Sequence, residues 1–205
     1  MSSHSRRASR GNARRKGGKP AGDRVFDVAA DLFYRDSIRA VGVETIVKQA
    51  GVAKISLYRS FASKDELIVA YLESRDAEYW RNVDRVMAAK QDRPRAQLRA
   101  LVDYVAGRAT MKGYRGCPFI NYASEFADRS HPGHRIVDKN KQEMRRRLGS
   151  LTKAIGAARP TQLADVLFLL IEGAYASSQT LGGHTGPAAT LPWATEALIK
   201  CHLNG

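Results

Sequence analysis

Two cysteines are all that the 205 residues contain. Cys117 and Cys201 stand far apart, and neither has a second residue at metal-ligand spacing beside it. That scarcity argues against a disulfide framework and against a structural zinc site. Long apolar runs are missing as well. The longest, Val166 to Ile171, is far short of the roughly 20 residues a bilayer requires. The N-terminus is polar and basic without an apolar h-region, so no secretory signal is read there. Missing too are strand-like alternation, an internal repeat, a phosphate-cradling glycine loop and carboxylates paired for acid–base work. His131 and His134 sit beside Pro132 and Gly133 with no evident nucleophile or third ligand. These absences speak against an enzyme and against a bound cofactor or metal. The expectation is a soluble, cytoplasmic protein with no membrane partner.

Charge is what the sequence has in excess. The formal net charge is +14, and the first 22 residues hold seven basic side chains and no acid. Neutralising phosphates with such an arm releases condensed counterions, which favours polyanions. The bland alternative is a solvated tail with no fixed partner. Residues 1–22 are poor in large apolar side chains, so disorder is expected there.

From Asp23 onward the pattern is helical, and the expected fold is all-α with about nine helices. Phe26, Ala29, Ala30 and Phe33 share one face of a first helix, Asp23 to Arg35. Short helices follow from Val43 to Ala50 and from Lys54 to Phe61, separated by a turn at Gly51. Ser63 with Glu66 reads as a capping box opening a long helix that ends near Ala89. Four more helices and a last one, Leu191 to Leu203, complete the reading. The expected division is a tail (1–22), a helix-turn-helix unit (23–67) and a second helical domain (68–205).

The informative stretch is Val43 to Phe61. Two short helices crossing steeply through a tight turn need a residue that accepts left-handed backbone angles, and Gly51 supplies one. Ile46, Val52, Leu57 and Phe61 would lock the second helix inward. Lys54, Ser56, Tyr58 and Arg59 would then face outward, as donors suited to phosphates and base edges.

Ala50-Gly51-Val52, Leu57-Tyr58, Phe61 and Lys64-Asp65-Glu66-Leu67, with Ala29-Ala30 and Leu32-Phe33 upstream, closely resemble the N-terminal pattern of the TetR (tetracycline-repressor) family. The likeness covers about 45 residues, and the nine-helix layout agrees with it. It implies a transcriptional regulator whose second motif helix enters the major groove. Lys54, Ser56 and Arg59 match positions that face DNA, Tyr58 and Lys64 match phosphate contacts, and Thr45 is a weaker candidate. The chain departs from the pattern at Val41-Gly42 and Ala53, where capping Ser or Thr is common, and at Glu44, where a base is common.

For the second domain the resemblance implies a homodimer joined through the last two helices, reading a palindromic operator in double-stranded DNA. It also implies a cavity for a small-molecule effector, which remains unknown. Candidate lining residues are Tyr104, Arg108, Cys117, Phe119, Tyr122, Phe126, Phe168, Glu172 and Tyr175, each also explicable as core. An acid on an apolar face is costly unless paired, so Glu125 or Glu172 could neutralise a buried arginine or recognise a cationic ligand. The expected function is a sequence-specific repressor released by its effector. An activator or effector-independent regulator of the same fold is the near alternative, and a charge-driven, nonspecific nucleic-acid binder the distant one.

Overall fold

The computed structural model describes residues 18–181 and 186–203. Among the described residues there are nine α-helices and no strand: α1 Ala21–Arg35, α2 Val43–Ala50, α3 Lys54–Ser60, α4 Lys64–Ala88, α5 Pro94–Ala109, α6 Pro118–Glu125, α7 Gly133–Ala154, α8 Pro160–Leu181 and α9 Leu191–Leu203. Most of the expected basic tail, residues 1–17, lies outside the described residues. Its last part does not: helix begins at Ala21, earlier than expected. Pro20, at φ −50°, presets the backbone of that first turn, and Asp23 complements the exposed amides.

α1 to α3 form the N-terminal unit. Val25, Ala29, Leu32 and Phe33 of α1 are buried against Ile46, Val47 and Ala50 of α2 and Leu57 of α3. Gly51 takes φ 61°, ψ 42° and returns its N–H to the end of α2. Those left-handed angles strain any residue with a Cβ, which is why the turn tolerates glycine. The ring of Phe61 stacks on Phe26 at 6.5 Å, fixing the end of α3 to α1.

α4 starts with the expected capping box. Ser63 Oγ accepts the Glu66 N–H at 3.1 Å, and the Glu66 carboxylate accepts the Ala62 N–H. Its 25 residues run unbroken from the N-terminal unit into the second domain, about 37 Å at 1.5 Å per residue. The core of that domain lies between α4, α5, α7 and α8, with Leu72, Leu98, Leu101, Val105, Leu148 and Leu163 buried.

A short 3-10 turn, Pro187–Thr190, lies ahead of α9 and was not anticipated. α8 buries only one side of its apolar surface within the chain. Leu163, Leu167, Ile171, Ala174 and Tyr175 face inward, whereas Leu169 is 68% exposed on the opposite side. Trp193 of α9 is 74% exposed.

Candidate nucleic-acid interface and ligand cavity

α3 is seven residues long, so a single inward anchor decides which face it presents. Leu57 is that anchor, fully buried. Lys54, Ile55, Tyr58 and Arg59 are left exposed, while Ser56 is only partly so. Thr45 is exposed on α2. Lys54 Nζ donates to Glu44 Oε1 at 2.6 Å, and that hydrogen bond is the main reason its ammonium is held above the ordinary lysine range. The acid at position 44, a departure from the resemblance, is therefore engaged with the first residue of α3. Lys64 is placed less freely. Its Nζ donates to the Arg39 carbonyl at 3.1 Å and lies 6.0 Å from the Phe33 ring centre. Burial lowers its pKa, against the pull of Asp65 and Glu125.

Gly42 and Ala53 cap α2 and α3 without any side-chain hydrogen bond, as the missing Ser and Thr implied. The first amides of α2 are thus open to an anion. Ile55 escaped the sequence reading. It was assigned to neither face, and it is 61% exposed between Lys54 and the Tyr58–Arg59 pair. An aliphatic side chain on a groove-facing surface suits the C5-methyl of thymine.

Behind this face the two domains are joined through polar contacts. Glu125, at the end of α6, accepts from Ser37 Oγ at 2.8 Å and from the Arg39 N–H at 2.9 Å. Arg39 Nη1 in turn donates to the Glu125 carbonyl at 3.2 Å. Glu125 therefore holds the α1–α2 loop, and it neither neutralises a buried arginine nor lines a cavity. Beside it Tyr122 and Phe126 stack at 4.7 Å, with Tyr122 Oη 2.6 Å from His131 Nδ1.

A cavity lies between α4, α5, α7 and α8 and the start of α6. Of the expected lining residues, Arg108, Cys117, Phe119, Glu172 and Tyr175 meet there. Tyr104 stands one layer back, its ring 5.9 Å from Tyr79. Tyr122, Phe126 and Phe168 do not line it. The sequence reading missed Arg75, Tyr79, Tyr114 and Lys141, which line it too, as do Glu78, Asn140 and three apolar residues. Lys141 Nζ donates to Glu172 Oε1 at 2.6 Å and lies 3.7 Å from Cys117 Sγ. Glu172 is thus paired, with a lysine rather than the arginine that was expected. The cavity interior is about 30 Å³, and the open space around it, mouth included, is about 510 Å³. The inner space suffices for a water or two, so the cavity is closed to anything larger as it stands.

Comparison with known proteins agrees with this geometry. Residues 25–71 match the family model described as bacterial regulatory proteins, tetR family, and residues 93–191 match the Tetracyclin repressor-like C-terminal domain. An uncharacterized HTH-type transcriptional regulator of Mycobacterium tuberculosis is 33% identical over 63 residues, 31% of this chain and 31% of that protein. The match thus spans about a third of that curated relative's length. The fold resembles the crystal structure of a TetR-family transcriptional regulator from Streptomyces coelicolor, with TM-score 0.85, 27% identity and 90% of both chains covered. It also resembles a TetR-type regulator from Streptomyces avermitilis, with TM-score 0.78, 29% identity and coverage of 90% of this chain and 98% of that one. Two family models in their proper order on a nine-helix frame, with the N-terminal motif presenting a basic face, settle the assignment: the chain belongs to the TetR family of DNA-binding transcriptional regulators.

Proposed function

We propose that this regulator is a repressor that binds a palindromic operator as a homodimer and leaves it when a small effector occupies the cavity. The observation that carries the reading is α3 itself, held by Leu57 and exposing Lys54, Ile55, Tyr58 and Arg59. Tyr58, Arg59 and Thr45 are assigned to phosphate and base contacts. Lys54 contributes once Glu44 releases it, and Lys64 once its ammonium leaves the Arg39 carbonyl. Ser56, half-covered, is assigned a contact at the edge of the groove.

Dimerisation is supported by the bare Leu169 and Trp193 on α8 and α9, which a second copy would cover. Two-fold pairing also sets two α3 helices about one DNA turn, roughly 34 Å, apart. The acting site is the chromosome, in the cytoplasm. Selection from random duplexes, followed by transcription from a promoter carrying the selected site, tests the reading. An inverted repeat whose occupancy lowers transcription is expected. Loss of all enrichment over random DNA would overturn it.

A further inference from the structure

The cavity wall is not electrically balanced. Lys141 and Glu172 neutralise each other at 2.6 Å, and Arg75 Nη1 donates to Glu78 Oε2 at 3.2 Å. Arg108 has no carboxylate partner among the described residues. Its guanidinium lies 6.0 Å from the Tyr104 ring centre and 5.9 Å from that of Tyr114. Burial raises the pKa of the Tyr79, Tyr114 and Tyr175 hydroxyls, so no tyrosinate replaces the missing counter-charge. A second donor is idle as well: Arg75 Nε is buried without an acceptor. Apart from Asn140, whose amide donates to Asp76 at 2.8 Å, the rest of the wall is largely apolar, with the Tyr114 and Tyr175 rings 6.1 Å apart and Phe119 and Ile171 among its members.

Arg75 also reaches out of the cavity. Its Nη2 donates to the Ala30 carbonyl of α1 at 3.3 Å, and its guanidinium lies 5.2 Å from the Tyr34 ring centre, also on α1. Tyr34 Oη in turn accepts the Arg115 N–H at 3.1 Å, from the loop between α5 and α6. α1 is the helix against which α3 is packed. One side chain thus belongs both to the cavity wall and to the support of the DNA-reading helix.

We propose that the effector is a carboxylate on a flat apolar body, bound by Arg108 and Arg75, and that Arg75 passes its arrival to α1. The proposal rests on the effector-release reading above. A carboxylate offers the two parallel acceptors a guanidinium fork fits. It also supplies the negative charge the wall lacks. A ring-sized body exceeds the closed interior, so the walls must part around it. Turning toward the carboxylate draws Arg75 from Ala30 and Tyr34 and unfastens α1.

The test is calorimetric titration of the full-length protein with benzoate, phenylacetate and cinnamate, each against its uncharged amide. At least one acid is expected to bind about tenfold or more tighter than its amide, the scale of one charge-assisted contact. Arg108→Gln should erase that preference. Arg75→Lys keeps the charge but loses the fork: it should bind the acid more weakly, and even at saturating acid the operator duplex should no longer be displaced. Equal binding of acid and amide, or no acid binding, overturns the ligand class. The wild-type comparison decides this without any variant. Acid preference together with unchanged release in Arg75→Lys overturns the relay. If an operator is selected and no acid binds, the ligand class falls and the regulator stands. If acid binds and no operator emerges, the regulator reading fails instead.

Discussion

Replacing Glu44 by Gln changes one charge on the DNA-facing surface and almost nothing else. In the free protein Glu44 Oε1 lies 2.6 Å from Lys54 Nζ, with the two side chains 74% and 52% exposed. An exposed pair contributes little to the fold, so thermal stability should hardly move. DNA binding should respond strongly. The carboxylate occupies the cation at the start of α3 and itself repels phosphate. Gln keeps the size and removes both effects. Each phosphate neutralised steepens the dependence of log K on log salt by about 0.9. Freed in both protomers, Lys54 therefore adds about 1.8 to the slope. Between about 50 mM and about 200 mM salt, the variant should lose about 12-fold more affinity than the parent, while binding more tightly at the low-salt end. Fluorescence anisotropy on a labelled operator duplex over that range measures it. An unchanged slope with weaker binding would refute the reasoning, because Glu44 would then be reading a base, such as the amino group of cytosine.

Three further outcomes are expected. Leu169→Asp places a charge on the bare face of α8 and should give monomers in sedimentation velocity; a persistent dimer would move the interface elsewhere. Glu125→Ala removes the acceptor shared by Ser37 and Arg39. It should cost about 1 kcal/mol, a fall in Tm of about 2–4 °C, and should weaken effector-driven release more than operator affinity. Glu143 has its carboxyl pulled down to about 2, chiefly by Arg146 and further by Arg147. A depressed carboxyl stabilises the fold above its ordinary value of 4.5, and that contribution is lost as pH falls toward about 2. Denaturant titrations of Glu143→Gln should therefore show a flatter pH dependence between about pH 4.5 and about pH 2.

The N-terminal unit was legible because its constraints are local. Gly51 at a left-handed turn, the Ser63–Glu66 box and Leu57 at helical spacing each act within a few residues, and the boundaries of α2 came out as read. Ile55 was assigned to neither face because amphipathic reasoning gives apolar residues no outward role, whereas a groove-reading face needs an apolar residue outward where it meets a methyl group. The cavity was harder to read. Its wall takes Arg75 and Tyr79 from α4, Tyr114 from a loop and Lys141 from α7, and their convergence is a property of packing. Phe168 and Tyr122 carry the same apolar pattern as Phe119 and Tyr175, so periodicity cannot separate core from cavity wall. Glu125 was flagged as an acid on an apolar face, but its partner, the α1–α2 loop, lies more than 80 positions away.

The central claim is that the outward face of α3 reads bases. Parallel selection from random duplexes, using the wild-type protein and Ile55→Ala, tests it most directly. One symmetry-related position is expected at which the wild type prefers thymine and the variant does not, with the rest of the inverted repeat unchanged. Identical motifs from both proteins would contradict the assignment of Ile55 to a thymine methyl, and identical motifs after Arg59→Ala as well would remove α3 from the groove.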